Sequence, residues 1–238
     1  MIKNWVADIR IKTKNMDRNA KTEYIMNYYW YHILLGVLTI GILVLGIYHV
    51  TWGKKKTAFS LVIVNQDISY QRDQKLSEDF AEWAALPPKQ IQADSDYMIS
   101  YGDVQLKGIN ESSYEKFFFG WQAGAMDAVI MPESFYAYCR KQNGIFLPLA
   151  QLSGSGQLSS LPDPSADQQL YFKEDGICYG VYVTKTGLST YFMENEQDPY
   201  ILVFPAAMKQ DHRKAAGRFL EYALSEYSEQ TQQSGQEG

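Results

Sequence analysis

The segment ILLGVLTIGILVLGI, residues 33–47, holds fifteen residues without a charge, and few structures can accommodate such a run. As a helix it rises about 22 Å, short of the roughly 30 Å of bilayer hydrocarbon. Extended to residues 28–52 it reaches about 38 Å. The extensions carry Tyr28, Tyr29, Trp30 and Tyr31 on one side and Tyr48 and Trp52 on the other, with His32 and His49 at the same boundaries. Rings with a polar tip favour headgroup depth. The sequence therefore predicts a transmembrane helix over 28–52 with the lipid bilayer as its partner. A core helix of a soluble domain would not need aromatic belts at both ends.

An uncleaved anchor is expected rather than a signal peptide. The run is long for an h-region, lies more than thirty residues from Met1, and is followed by the bulky, basic HVTWGKKK. Local charge does not orient it: Lys12, Lys14, Arg18 and Lys21 precede the span, and Lys54, Lys55, Lys56 and Arg72 follow it. The larger balance does. Residues 1–56 carry nine Lys/Arg and three Asp/Glu, whereas the remainder carries thirteen and twenty-four. A basic arm suits the anionic cytoplasmic leaflet, so residues 1–27 are expected inside the cell and the acidic domain outside. The counter-reading makes Lys54 to Lys56 the inside anchor and leaves the domain in the cytoplasm. Within the arm, Ile2, Trp5, Val6 and Ile9 fall at helical spacing. A short interfacial helix and an irregular arm with scattered apolar residues both remain open.

Residues 57–227 suffice for one domain with its own core. Cys139 and Cys178 lie inside apolar-patterned segments, where unpaired structural cysteines usually sit, and a disulfide between them is not required. With two cysteines, and only His212 of the three histidines in the domain, little is left for metal or nucleophilic chemistry. No metal and no cofactor are expected. The acidic balance, with no stretch of clustered Lys/Arg read after Lys56, argues against nucleic acid as a partner. The closing SEQTQQSGQEG, 228–238, reads as a disordered tail.

Within the domain, AFSLVIV (58–64) reads as a buried strand. Leu76, Phe80, Trp83 and Ala84 then recur at helical spacing until Pro87 and Pro88. IQADSDYMISY (91–101) reads as a second strand, and SYEKFFFGWQAG as a helix with more rings than one buried face needs. Phe117, Phe118 and Trp121 could fill a core or form an interface with membrane or partner. AMDAVIMP (125–132), apolar on both faces, reads as a central parallel strand, with a helix directly after it. This alternation predicts an α/β domain with a small, mostly parallel sheet flanked by helices. SGSGQLSSLPDPSADQ (153–168) reads as an exposed excursion, 170–184 as a strand pair with Gly176 near its turn, 200–208 as a last strand and 211–227 as a last helix.

The order of these motifs resembles the extracytoplasmic solute-binding proteins of bacterial ABC importers. GWQAGAMDAVIMPESF resembles that class's unit of helix, small-Gly-x-x-Asp turn and strand. NGIFLPLAQL resembles its G-x-L-x-P-L turn, DGICYGVYV its hinge strand, and DHRKAAGRFLEYAL its K-A-A-x-x-F-L-x-Y-L helix. YYWYHILLG with the domain behind it also resembles uncharacterised short single-span membrane proteins of Gram-positive anaerobes. The resemblance implies one lobe of a type II periplasmic binding protein. A full member inserts a second lobe after the hinge strand, whereas about fifteen residues separate Thr184 from Tyr200 here, so a two-lobed clamp cannot close. It further implies ligand contact at the carboxyl ends of the strands, at Asn65, Gln66, Tyr101 and Glu133; ordinary loop and capping roles are the alternative, and a single lobe would enclose a small-molecule ligand poorly.

No catalytic constellation stands out. Gly154, Ser155 and Gly156 imitate a nucleophile turn inside a low-complexity segment, and Asp94 and Asp96 imitate a metal pair on what reads as the solvent face of a strand. The expected function is a membrane-anchored, non-catalytic binding or scaffolding module, associated with a transporter or another envelope protein. The alternative is a structural subunit of an envelope assembly. A cytoplasmic regulator is a third reading.

Overall fold

A computed structural model of the protein describes residues 10–51, 57–106, 112–152 and 169–234. The readings placed on Ile2, Trp5, Val6 and Ile9, on Trp52 and the lysines after it, on Gly154, Ser155 and Gly156, and on 235–238 lie outside the described residues. The chain divides into two units, Met1–Lys55 and Lys56–Gly238.

In the first unit, helix α1 (Arg18–Thr51) runs for 34 residues. It begins ahead of the expected 28 because RNAKTEYIMN is rich in residues that tolerate helix well. Its stretch Trp30–Tyr48 has a mean hydropathy of 2.1, is nowhere buried, and is the one segment among the described residues long and apolar enough to cross a membrane. At 1.5 Å per residue it covers about 28 Å, close to the hydrocarbon thickness.

The second unit is built on a six-stranded sheet in the order β2-β1-β3-β6-β5-β4. Strand β1 (Phe59–Val64) leads through helix α2 (Tyr70–Trp83) to β2 (Ile91–Tyr97), and through α3 (Ser112–Gln122) to β3 (Ala128–Pro132). Both β2 and β3 pair with β1 in parallel. The chain steps to one side of β1 and then to the other; with both crossovers of one hand, α2 and α3 must cover opposite faces. They do. Phe59, Leu61 and Ile63 pack with Leu76 and Phe80 of α2, while Val62 and Val64 pack with Phe117 and Trp121 of α3. Helix α4 (Glu133–Lys141) joins α3, and the last helix, α6 (Arg213–Ser234), joins α2 through Phe219 and Leu220. A single turn, α5 (Leu149–Leu152), closes one edge of the α2 side.

The other half of the sheet is antiparallel: β4 (Tyr171–Glu174) and β5 (Ile177–Tyr182) form a hairpin, and β6 (Tyr200–Val203) lies between β5 and β3, antiparallel to each. The sheet is therefore mixed, with two parallel and three antiparallel pairings, where a mostly parallel sheet was expected. A parallel neighbour needs a crossover spanning the sheet. Residues 183–199 supply only two 3-10 turns, Val183–Lys185 and Gly187–Tyr191, so the chain re-enters from the end at which β5 left it.

Local chemistry explains the boundaries. Ser69 caps α2, its Oγ accepting from Arg72 N–H. That helix stops at Trp83, ahead of the expected end at the prolines, because Ala85 turns left-handed (φ 49°) and Leu86 N–H closes back on Ala81 O at 2.8 Å. Asp175 and Gly176 both have positive φ, the two-residue turn that suits a twisted hairpin. Helix α6 continues to Ser234, into the stretch read as a tail. Gly124 is required twice over: its φ is +61°, and a Cβ there would lie 2.3 Å from Ala207 O. At Gly180 a Cβ would lie 2.3 Å from Leu202 O on β6.

Phe117 is fully buried and Trp121 nearly so, while Phe118 is half-buried against the same core. This burial removes Phe117 and Trp121 from any surface, so the interface expectation fails for them; the outward ring of α3 is Phe119, 67% exposed. Cys139 and Cys178 are both free. Cys139 lies in the core on the α4 side of the sheet and Cys178 packs against the core on the α6 side, so the sheet separates them. Burial pushes the Cys139 thiol up to about 12.

Three substitutions test this account. Phe117→Ala is expected to lose about 3–5 kcal/mol of stability and Phe119→Ala to stay within about 0.5 kcal/mol, read by thermal unfolding. Gly124→Ala is expected to lose about 2 kcal/mol or more, since the added methyl meets both a left-handed backbone and a carbonyl.

Candidate functional site

The order β2-β1-β3 places a switch in chain direction between β1 and β3, and open α/β sheets bind ligands in the crevice at the carboxyl ends of such a pair. Asn65 and Gln66 follow β1, Glu133 follows β3, and Tyr101 arrives from the segment after β2. The fold brings these four residues to one edge. It also commits them. Asn65, left-handed at φ 57°, donates from Nδ2 to Ile99 O (3.0 Å) and accepts at Oδ1 from Ile99 N–H (2.7 Å). Its amide thus stands in for one more step of β1–β2 pairing. Gln66 is buried and donates from Nε2 to Met193 O (3.0 Å), fastening the β1 end to the segment between β5 and β6. Glu133 N–H donates to Pro199 O at 3.0 Å, and its Oε2 accepts from the Tyr182 hydroxyl at 3.3 Å.

Tyr101 leads into a relay that the sequence reading missed. Its hydroxyl lies 2.6 Å from Ser134 Oγ, which lies 2.6 Å from Asp198 Oδ2. A carboxylate only accepts, so Ser134 donates to Asp198 and Tyr101 donates to Ser134. Asp198 Oδ1 also accepts from Ser134 N–H (2.9 Å), placing a negative charge at the start of α4. From β6, the Tyr200 hydroxyl donates to Asn65 O. Burial raises both phenols, Tyr200 to about 12 with the charge of Asp198 adding to the effect. Both remain neutral donors at any physiological pH. Nothing in the sequence marked Asp198 except its place just before Pro199.

At the opposite end of the sheet a second polar pair joins a buried carboxylate to a partly buried imidazole. Asp127, fully buried, begins β3's approach; its N–H donates to Ser60 O (2.9 Å) and its Oδ2 accepts from Ser60 N–H (2.8 Å). His212, just ahead of α6, sets Nδ1 at 3.0 and 2.9 Å from the two carboxylate oxygens. Against the ionised carboxylate Nδ1 carries the proton, which fixes the ring's orientation and leaves Nε2 on its far side. Burial raises the Asp127 pKa, opposed by His212, Ser60 N–H and Lys209. The sequence reading noted Asp127 only as a motif residue and His212 only as the domain's one histidine.

The imitations of catalytic motifs resolve differently. Asp94 Oδ2 pairs with Lys116 Nζ at 3.0 Å and its Oδ1 accepts from Asp96 N–H, while Asp96 is exposed. Among the described residues no group of three or more His, Cys, Asp or Glu side chains could hold a metal ion. Comparisons with protein-family models, curated proteins and solved structures return no match.

The Asp127 shift has a sign that can be measured. A carboxyl whose pKa is raised by folding binds its proton more tightly in the native state, so its contribution to stability is present below about pH 4 and is lost as pH rises through the folded value. Asp127→Asn removes that dependence. Chemical denaturation across acidic pH is expected to show wild type losing stability relative to the variant as pH rises over this window; the opposite slope would mean that the partners outweigh burial.

Proposed function

We propose that the chain is a single-pass, membrane-anchored, non-catalytic module, with its N-terminal arm inside the cell and its α/β domain outside, and that the domain binds or scaffolds another protein at the same membrane, such as a transporter. The observation that carries this reading is the closure of the switch-point crevice. Tyr101, Ser134 and Asp198 bridge it from one side and Tyr200 and Asn65 from the other, so the polar groups a solute would need are already satisfied within the chain. A domain braced in this way is suited to presenting a surface rather than to enclosing a solute. The apolar Trp30–Tyr48 segment, none of which is buried inside the protein, supports the anchor, and the basic arm supports the orientation. Phe119, outward on α3, favours a second reading, a structural subunit of an envelope assembly.

Extraction in mild detergent and affinity purification are expected to recover a defined membrane protein together with this chain; repeated recovery of the chain alone would count against a partner. Orientation is read separately. Glu196→Cys, in the exposed loop before β6, is expected to react with a membrane-impermeant thiol reagent in intact cells when Cys178 is replaced by Ser. Reaction only after lysis would place the domain in the cytoplasm and favour a regulator.

A further inference from the structure

The domain from residue 57 onward is strongly acidic, yet KQDHRKAAGR, residues 209–218, gathers four of its thirteen Lys/Arg together with His212, against the single acid Asp211. This corrects the reading that no basic cluster follows Lys56. The fold places several of these side chains around one opening, a cavity of about 440 Å³ lined by Thr57, Gln90, Asp211, His212, Lys214 and Arg218 among others. Three lysines immediately precede Thr57 in the sequence.

Several physical features distinguish this cavity from an ordinary charged surface. Lys214 and Arg218 stand at i and i+4 on α6 and so share a helix face. Arg218 is held in place: Nη1 donates to Ala84 O, and the guanidinium lies 5.5 Å from the Trp83 ring centroid, which leaves most of its five donors uncommitted by these contacts. His212 is held by Asp127 through Nδ1. Moreover, the first turn of α6 contains Arg213 and Lys214 and no acid. Cations there oppose the helix dipole, which favours negative charge at an N-terminus. The Nε of Arg213 is buried without a hydrogen-bond partner among the described residues. Of these cations Lys214 lines the cavity, and Asp211 and the Asp127 carboxylate are the acids nearest the helix start.

We propose that this cavity binds a phosphate group, with Lys214 and Arg218 donating to its oxygens and neutralising its charge. Guanidinium and ammonium groups together suit phosphate geometry. The phosphate is supplied either free in solution or by a lipid headgroup.

Hydrogen exchange on the full chain in nanodiscs separates these sources. In phosphatidylcholine nanodiscs, inorganic phosphate is expected to slow exchange saturably across 209–218 if the ligand is soluble. If it is lipid-borne, replacing half the phosphatidylcholine with phosphatidylglycerol is expected to do so while inorganic phosphate does not. In either case Lys214→Gln with Arg218→Gln should weaken the protection at least about tenfold, and Lys214→Arg should retain it. Unchanged exchange at all other sites shows that the variants are folded; Lys214→Gln alone, at an exposed position, serves if the double variant is not. Absence of protection with both probes, or protection indifferent to these substitutions, overturns the proposal.

Discussion

A buried carboxylate at the start of the strand that joins the two halves of the sheet is the constraint on which the domain depends. Asp127 is fully buried and meets β1 through Ser60 N–H and the segment ahead of α6 through His212. Leaving such a charge without its partners costs about 3–5 kcal/mol, so Asp127 ties β1, β3 and the start of α6 to one another. Gly124 enforces the same arrangement sterically, because only a residue without Cβ can approach Ala207 O so closely. The small-Gly-x-x-Asp turn is thus two devices in four residues. One admits the β6–α6 connection to the edge of the sheet, and the other locks it there.

The two ends of the sheet are treated differently as a consequence of topology. Where β1 and β3 finish, β6 begins, because its antiparallel entry sets Tyr200 opposite Pro132. The crevice that a doubly wound sheet would leave open is therefore crossed by the hydroxyls of Tyr200 and Tyr101, and Gln66 ties down the short segment between β5 and β6. Where β1 starts, no strand crosses among the described residues, and a cavity lies beside His212. A parallel β6 would have reversed these roles. The same seventeen-residue connection that turns β6 antiparallel also supplies Asp198 and the Met193 carbonyl to the braces.

What the sequence made legible follows the reach of each interaction. Leu76 and Phe80 announce α2 because their partners lie one helical turn away in the pattern, and residues 128–131 announce a strand buried on both faces because apolar character is written at every position. Asp175-Gly176 announces its hairpin because the turn is local. The relay from Tyr101 through Ser134 to Asp198 spans 33 and then 64 residues, and the His212–Asp127 pair spans 85; no periodicity carries such pairings. The antiparallel placement of β6 is not legible for a related reason. A strand's direction is set by what its connection can span, and 3-10 turns leave no hydrophobic period to read. The ring-rich SYEKFFFGWQAG was ambiguous because spacing cannot distinguish a helix packed on a sheet and a second helix at once from one facing a partner; only the packed structure shows that Phe117 meets Tyr97 and Phe135 while Phe119 meets none of that core.

Departures from local rules carry the remaining information. In most of this domain, charge follows the helix dipole: Asp73 lies in the first turn of α2, Glu133 in that of α4, and Arg140 and Lys141 in its last. Helix α6 alone among these three opens on Arg213 and Lys214 with no acid. Nothing in the packing requires it, since the buried face of α6 is carried by Ala216, Phe219, Leu220 and Ala223, and Lys214 is exposed. A sequence that satisfies propensity, capping and patterning elsewhere breaks one such rule where another demand outweighs the cost. Here the offending cations, the imidazole held by Asp127 and a cavity coincide where β1 starts, and that coincidence, rather than any one residue, distinguishes a place for an anion from a poorly started helix.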